Sequence, residues 1–116
     1  MHIFAYNHIS MKIGQAKIFS DILKTLAHPV RILLVDALSR KDKCVCELIS
    51  VADIDQSGIS RHLAHLTKVG ILSYKKKGKQ VFYHLETPCI LNAFGCALNV
   101  LKSETDRKNK LLKDNV

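Results

Sequence analysis

The chain has 116 residues, 47% of them hydrophobic and 24% charged, which predicts one globular domain with a modest core. Lysine and arginine total 18 against 10 acidic residues, and this net charge of +8 favours a polyanionic partner, nucleic acid first. No apolar run approaches the ~20 residues that span a bilayer, and no signal peptide is evident. We therefore expect a cytoplasmic protein whose four cysteines are reduced and available for metal or redox chemistry.

The first third of the chain predicts two helices behind an N-terminal arm. Residues 1–13 show no clear period and form the arm, in which His2 and His8 are candidate ligands. Apolar residues recur at a helical period from Gln15 to Leu26. Pro29 ends that helix and suits the first turn of a second helix, which is apolar almost all round and should be buried.

The segment CVCELISVA, residues 44–52, predicts a brief extended start followed by a two-turn helix. Cys44 and Cys46 share one face of an extended chain, but on a regular helix they point about 200° apart. If both bind one ion, the start of the helix must be extended or become so, and closing two metal–sulfur bonds would then distort the helix. Soft thiolates select As(III), Sb(III), Cd(II), Pb(II) or Zn(II) over hard cations, whereas the alternative is an inert buried pair.

The stretch DIDQSGISRHLAHLTKVG, residues 53–70, predicts an amphipathic helix with Asp55 as N-cap and Gly70 after its end. One face is apolar: Ile59, Leu63, Leu66 and Val69. The other face lacks carboxylates and carries amides, hydroxyls and basic groups: Gln56, Ser57, Ser60, Arg61, His62, His65 and Lys68. Such groups suit base edges and phosphates of DNA, although the helix could also face only water.

After Gly70 the apolar period changes to two, which predicts a β-hairpin turning at Lys77-Gly78-Lys79. A short helix, a turn and a polar-faced helix form a helix-turn-helix, and a basic hairpin placed after it is a wing. Lysines at a hairpin tip also protect sheet edges, but the basic helix before them favours the wing. The predicted DNA contacts are Gln56, Ser57, Ser60, Arg61, His62, His65, Lys75, Lys76, Lys77 and Lys79.

Thr87-Pro88 predicts the start of a last helix, whose apolar stripe runs through Ile90, Phe94, Ala97, Leu98 and Leu101. This stripe lies after the natural end of the domain, so a partner subunit should cover it. Cys89 and Cys96 lie about 10 Å apart along that helix; packing is the preferred role for both, and a third ligand or thiol sensor is the alternative. The predicted division is an arm (1–13), a DNA-binding and dimerisation domain (14–101) and a charged, fraying tail (102–116).

The order of these elements resembles the ArsR–SmtB family of winged helix-turn-helix, metal-sensing bacterial repressors. The resemblance covers Leu23 to Leu101 and is carried by LKTLAHPVRILLVDAL, CVCELI, QSGISRHLAHLTKVGIL and KKGKQVFYHL. CVCEL looks like the metalloid-binding box of the arsenic-responsive branch. The resemblance implies a mainly α fold with a small β-hairpin (α-α-α-α-β-β-α), a homodimer, and an inverted-repeat operator that is released when As(III) or Sb(III) occupies Cys44 and Cys46.

The sequence departs from the family pattern in the ligands beyond these two cysteines. The arsenic box usually offers a third cysteine where this chain has Ile49, and the last helix lacks the histidine of the zinc-sensing branch. A cadmium- and lead-sensing branch adds ligands from the arm, which here has only His2 and His8. The alternatives are therefore a Cd(II), Pb(II) or Zn(II) sensor, or a thiol-oxidation or persulfide-sensing repressor. An enzyme is not expected, since no Gly-rich phosphate loop, HExxH or GxSxG occurs.

Overall fold

The computed structural model describes residues 10–114, in which five helices and three short strands follow one another. The helices are α1 (Ile13–Leu26), α2 (Pro29–Leu38), α3 (Val45–Ala52), α4 (Gln56–Lys68) and α5 (Ile90–Asp114); the strands are β1 (Lys43–Cys44), β2 (Leu72–Lys77) and β3 (Gln80–Leu85). The predicted order of four helices, a hairpin and a last helix is confirmed, and β1 is an addition. None of the described helices combines the length and the apolar character that a membrane crossing requires.

The α3–turn–α4 unit forms where the local signals of the sequence predict it. α3 ends at Asp53, which adopts a left-handed conformation with φ of 54°. The Asp55 carboxylate then caps α4 by accepting a hydrogen bond from the Gly58 N–H at 3.0 Å. Gly70, with φ of 89°, follows the end of α4 and turns the chain into the hairpin.

One hydrophobic core holds the helices and the hairpin together. The predicted apolar stripe of α4 faces it. The central helix α2 is buried only on its core side; Ile32 and Leu33 are 39% and 45% exposed, so the burial predicted from its apolar composition is only partly confirmed. The core is formed by Leu26, Leu34, Val35, Ala37, Leu38, Leu48, Ile59, Leu63, Leu66, Ile71, Leu72 and Leu85. The orientation of α4 is therefore fixed by its apolar face, which leaves its polar face outward.

The sheet has the strand order β1-β3-β2, and both pairs are antiparallel. β2 and β3 form the predicted hairpin, whose two-residue turn contains Gly78 with φ of 64°. β1 pairs with β3 on the other side, and Cys44 lies opposite Phe82. The strand that carries the hairpin tip is therefore joined through its backbone to the first cysteine.

The last helix differs from the prediction at both ends. α5 begins at Ile90, later than predicted, and Thr87 Oγ1 is buried with no hydrogen-bond partner among the described residues, so Thr87 does not cap the helix. α5 also includes residues 102–114, which the sequence predicted as a fraying tail. Strong helix formers in this segment and a salt bridge between Glu104 and Arg107, one turn apart, favour the helical state.

Two helices present apolar faces that the described chain leaves uncovered. On α5, the side chains of Leu98 and Leu101 are 64% and 62% exposed. On α1, exposed Ile18, Phe19 and Leu23 form a second apolar surface. The Cα radius of gyration is 17.8 Å, whereas a compact domain of this length would have about 13 Å. The shape therefore contains surface that folding of one chain does not bury.

Candidate functional site

The outer face of α4 is a polar surface without acidic side chains. Most of the predicted DNA contacts on this helix are exposed, namely Gln56, Ser57, Ser60, Arg61 and His65. The Ser57 hydroxyl donates to Asp55 Oδ2 at 3.0 Å, so Ser57 also supports the N-cap. The bond from the Gly58 N–H, followed by that from the Ser57 hydroxyl, lowers the pKa of Asp55 and keeps this carboxylate ionised. Arg61 and His65, one turn apart, are free to meet a partner along this face.

His62 has a different position from the other predicted DNA contacts. It is half-buried, and its Nδ1 accepts a hydrogen bond from Arg31 Nε at 3.0 Å. Its ring lies 4.4 Å from the ring of His28, measured between centroids. Arg31 also donates from Nη1 to the Thr25 carbonyl at 2.8 Å, so it joins the end of α1 and the start of α2 to α4. The helical period placed His62 on the polar face but could not show that another helix engages it.

The imidazole of His62 must be neutral to keep this arrangement. Burial lowers its pKa first, and the electrostatic influence of the neighbouring basic side chains His28, Arg31, His65 and Arg61 lowers it further. A proton added to Nδ1 would remove the acceptor that Arg31 uses. Neutral His62 therefore fixes α4 against α2, while exposed residues on the same helix remain available.

The hairpin tip carries the four predicted lysines, all of them exposed. Lys77 differs from the others because its Nζ lies 5.5 Å from the centroid of the Phe82 ring, in cation–π geometry. Lys76 points to the opposite face of β2, since neighbouring residues of a strand alternate. Lys79 lies in the turn itself. The tip is thus a cluster of positive charge that extends the basic surface of α4.

Cys44 and Cys46 are brought together by the extended backbone at Cys44. This residue is the N-cap of α3, with φ of −85° and ψ of 169°, and it is only 4% exposed, whereas Cys46 is exposed. Their Cα atoms are 5.4 Å apart, and the structure joins their sulfur atoms in a disulfide, although the sequence predicted reduced thiols. The predicted extended start is confirmed, so both sulfurs reach one point without distortion of α3. After reduction, two thiolates so placed fit a single soft ion.

A cleft of about 260 Å³ opens beside the cysteine pair, between the first residue of α4 and the hairpin. It is lined by Cys44, Val45, Cys46, Gln56, Lys79, Gln80 and Val81. The Gln80 Nε2 donates a hydrogen bond to the Cys46 sulfur at 3.7 Å. Glu47 Oε1 accepts from the Cys44 N–H at 3.1 Å and so completes the cap of α3. A change at the cysteines therefore reaches the start of α4 and the turn of the hairpin.

The third ligand that the sequence left open is not brought to the cysteine pair within residues 10–114. No group of three or more His, Cys, Asp or Glu side chains in this range is arranged to hold a metal ion. Cys89 and Cys96 are both exposed free cysteines, and Cys89 directly precedes α5. His2 and His8 lie outside the described residues. Within residues 10–114, the cysteine pair thus brings two sulfur atoms, and no third candidate ligand, to one point.

We predict that His62 makes the stability of the fold depend on pH. Because its folded pKa is lowered from 6.5, its contribution is fully present above pH 6.5 and is lost as pH falls through the folded pKa. His62→Asn retains an acceptor near the Nδ1 position but does not titrate. Urea unfolding from pH 7.5 to 5, at one protein concentration, should therefore show a smaller acid loss in this variant than in wild type.

His84 provides a control of opposite sign. Its hydrogen bond to Asp42, at 2.7 Å, raises its pKa, so its contribution is present below pH 6.5 and is lost as pH rises through the folded pKa. His84→Asn should accordingly steepen the loss of stability toward acid pH. Equal pH profiles for wild type and His62→Asn would show that the Arg31–His62 bond does not depend on protonation.

Comparison with known proteins places this architecture in a family. The family model described as "Bacterial regulatory protein, arsR family" matches residues 28–74. The cadmium resistance transcriptional regulatory protein CadC of Listeria innocua is 33% identical over 81 residues, which are 69% of this chain and 68% of that protein. The transcriptional repressor SmtB homolog of Synechocystis sp. is 30% identical over 84 residues, which are 72% of this chain and 64% of that protein's own length.

The fold is also shared with solved structures. The crystal structure of the transcriptional repressor BigR from Xylella fastidiosa has a TM-score of 0.62 and 35% sequence identity, over 69% of this chain and 85% of that chain. These relatives are regulators of transcription and not enzymes, as the sequence predicted. The chain belongs to the arsR family of bacterial regulatory proteins, and its fold is the winged helix-turn-helix of that family.

Proposed function

We propose that this protein is a cytoplasmic repressor that binds a two-fold symmetric DNA operator as a homodimer and releases it when a thiophilic ion binds Cys44 and Cys46. As(III) and Sb(III) are the favoured effectors, and Cd(II), Pb(II) and Zn(II) are the alternatives. The observation that carries the proposal is the cleft in which the cysteine pair meets the start of α4 and the tip of the hairpin. In this arrangement, effector binding and DNA binding use adjoining residues.

The DNA-binding part of the proposal is supported by the distribution of charge. Arg61, His65 and Lys68 are exposed on α4, and no carboxylate lies between Gln56 and Lys68. A helix of this diameter fits the major groove, and the lysines of the hairpin then lie where they can meet the phosphates beside it. Base contacts from α4 would provide sequence preference, while the hairpin would provide affinity that depends on salt.

We predict that the two elements can be separated by substitution. Arg61→Ala should reduce discrimination between operator and random DNA by about 1–3 kcal/mol, since it removes a base contact. Lys76→Ala with Lys79→Ala should weaken binding to both DNAs and lower the slope of log K against log salt by about 1.8 for each half-site, or about 3.6 for the dimer on its operator. Fluorescence anisotropy of labelled DNA at several salt concentrations measures both effects.

A matched charge control is available on the far part of α5. Lys108→Ala with Lys110→Ala removes the same charge from exposed positions of a different element. This variant should change the salt slope much less than the hairpin pair does. If both pairs change the slope equally, the effect belongs to net charge, and the hairpin is not a wing.

The homodimer is supported by the apolar faces of α1 and α5. An open groove of about 410 Å³ on α1 is lined by Met11, Ala16, Phe19, Ser20, Leu23, Lys24 and Ala27. Leu98 and Leu101 of α5 are also exposed, and exposed apolar faces on two helices are typical of protein–protein interaction surfaces. A second copy is the occupant that we propose, because two copies of the helix-turn-helix would also match the two halves of a symmetric operator.

We predict that wild type sediments as a dimer at micromolar concentration. Leu98→Glu should shift the protein toward monomer, because it places a charge in a face that the partner would bury. Asn99→Glu adds the same charge beside the stripe and should leave the dimer intact. A monomeric wild type in sedimentation velocity at micromolar concentration would refute the dimer.

The effector part of the proposal follows from the chemistry of the thiols. Ions of this class bind thiolates, so binding should release protons and weaken as pH falls. Two sulfurs from one chain leave at least one position of As(III) or Cd(II) to another ligand, and Cys89, Cys96, His2 and His8 remain the candidates. The family relationship to a protein named for cadmium resistance keeps Cd(II) in the set to be tested.

We predict that Cys44→Ser and Cys46→Ser each retain operator affinity and lose release by the ion. Neither side chain needs to touch DNA, and one remaining thiolate cannot chelate. Anisotropy of labelled operator, titrated with arsenite and with Cd(II) under full reduction, measures release. Cys89→Ser and Cys96→Ser distinguish the third ligand, because loss of release in either variant would assign that cysteine.

A second candidate function is sensing of oxidants through the same cysteines, because the structure joins their sulfur atoms. Two thiols would then lose two electrons and two protons to a peroxide or a disulfide, and the bond between the sulfurs would form. The same titration separates the two functions. Operator that stays bound with every ion in the reduced protein, but is released after oxidation, would replace the metal sensor by a thiol sensor.

A further inference from the structure

The tip of the hairpin is attached to the cysteine pair at two points of one strand. Gln80, the first residue of β3, directly follows the turn and donates through its side chain to the Cys46 sulfur. Two residues further along β3, Phe82 lies opposite Cys44 in the β1–β3 backbone pairing. Both cysteines thus contact the strand that carries the basic tip, one through a side chain and one through the backbone.

These two attachments differ in how firmly they hold. The backbone pairing belongs to the sheet, and Cys44 is buried beneath it. The contact of Gln80 with Cys46 joins two exposed residues by a single N–H···S hydrogen bond, and its acceptor is a sulfur of the Cys44–Cys46 disulfide. A contact of this kind can form or break without unfolding the sheet. It is therefore the attachment whose strength can change with the chemical state of Cys46.

The state of the sulfur determines how well it accepts this hydrogen bond. The disulfide sulfur that accepts this bond in the structure is uncharged and, like a neutral thiol, is a weak acceptor, whereas a thiolate bound to an ion keeps lone pairs and negative charge. Donors to the ligand atoms of a metal site orient those ligands and strengthen binding. Occupation of Cys44 and Cys46 by an ion should therefore strengthen the bond from Gln80 and hold the base of the hairpin against α3.

We propose that Gln80 is the positioning residue that transmits ion binding at Cys46 to the DNA-binding hairpin, an inference that rests on the proposed function. Without an ion the weak contact lets the hairpin follow the phosphates of the operator. With an ion the hairpin is held beside α3, where Lys79 at the mouth of the cleft is withdrawn from DNA. Because coupling is reciprocal, bound operator disfavours the Gln80–Cys46 bond and weakens ion binding equally.

The test compares operator affinity with and without saturating Cd(II), and in parallel arsenite, under full reduction. Gln80→Met keeps a side chain of similar length but has no donor. We expect this variant to bind operator within about threefold of wild type and to bind Cd(II) 10–100-fold more weakly, as measured by thiolate-to-metal absorbance. The operator dissociation constant with Cd(II), divided by the constant without Cd(II), should be at least tenfold smaller in this variant than in wild type and close to one.

Two further variants show that the donor, and not the fold, is responsible. Lys76→Met removes a charge from the same hairpin, so it should weaken operator binding with and without Cd(II) and leave their ratio unchanged. Gln80→Lys restores a donor of similar reach, so it should regain most of the wild-type ratio. Circular dichroism spectra show whether each variant is folded like wild type, and only variants that are so folded are compared.

Each outcome has one meaning. A Gln80→Met protein that keeps the wild-type ratio, or a Gln80→Lys protein that lacks it, overturns the role of Gln80 while the metal-sensing function stands. A wild-type protein that binds Cd(II) and arsenite but keeps its operator overturns the proposed function, and the role of Gln80 with it. A dissociation-constant ratio near one in Gln80→Met, together with a ratio near that of wild type in Gln80→Lys, supports both the metal-sensing function and the role of Gln80.

Discussion

The rest of this structure depends on the extended backbone at Cys44. This single residue is the last of β1 and the N-cap of α3, so its conformation joins the sheet to the helix-turn-helix. Had the helix begun one turn earlier, Cys44 and Cys46 would point in different directions, and β1 would not reach β3. The capping bond from the Cys44 N–H to Glu47 holds the helix start where it is. The extended conformation of Cys44 thus brings the two cysteines together, forms the β1 edge of the sheet and sets the start of α3.

The helices of the motif are held more rigidly than the hairpin. Leu48 of α3 and Ile59 and Leu63 of α4 are completely buried, and displacement of either helix would open the core at these residues. The Arg31–His62 hydrogen bond adds a polar contact between α2 and α4. The hairpin beyond Tyr74 has no comparable packing, since its lysines are exposed and its turn projects outward. A structural change that starts at the cysteines therefore costs less energy in the hairpin than in α4.

Local signals of the sequence were sufficient for much of this architecture. The apolar period of α4, the cap at Asp55 and the glycines at 70 and 78 act within a few residues, and the structure confirms each of them. Contacts between distant segments could not be predicted in this way. The pairing of β1 with β3 and the bond from Arg31 to His62 join residues far apart in sequence, and no period indicates which polar residue another helix will engage.

The candidate site was also predicted only in part. The spacing of Cys44 and Cys46 implied an extended helix start, which the structure has, but the pairing of this extended residue with β3 could not be foreseen. Gln80 was missed because a glutamine at the start of a strand carries no signal of its own; only the sheet register brings it to Cys46. The extension of α5 was missed because charge alone suggested fraying, whereas helix-forming residues and spaced opposite charges support a helix.

The energies involved also favour transmission through the hairpin. Allosteric coupling in regulators is typically about 1–3 kcal/mol, and a hydrogen bond to a charged acceptor contributes about 1.5–3 kcal/mol. In the proposed mechanism, a bond that strengthens on ion binding would therefore contribute a coupling of this order. Shifting α3 or α4 would instead disturb fully buried leucines, and the loss of one such side chain from a core costs about 2–5 kcal/mol. In the proposed mechanism, the exposed link at Gln80 would transmit ion binding without cost to the core, so the core would stay intact in both the DNA-bound and the released protein.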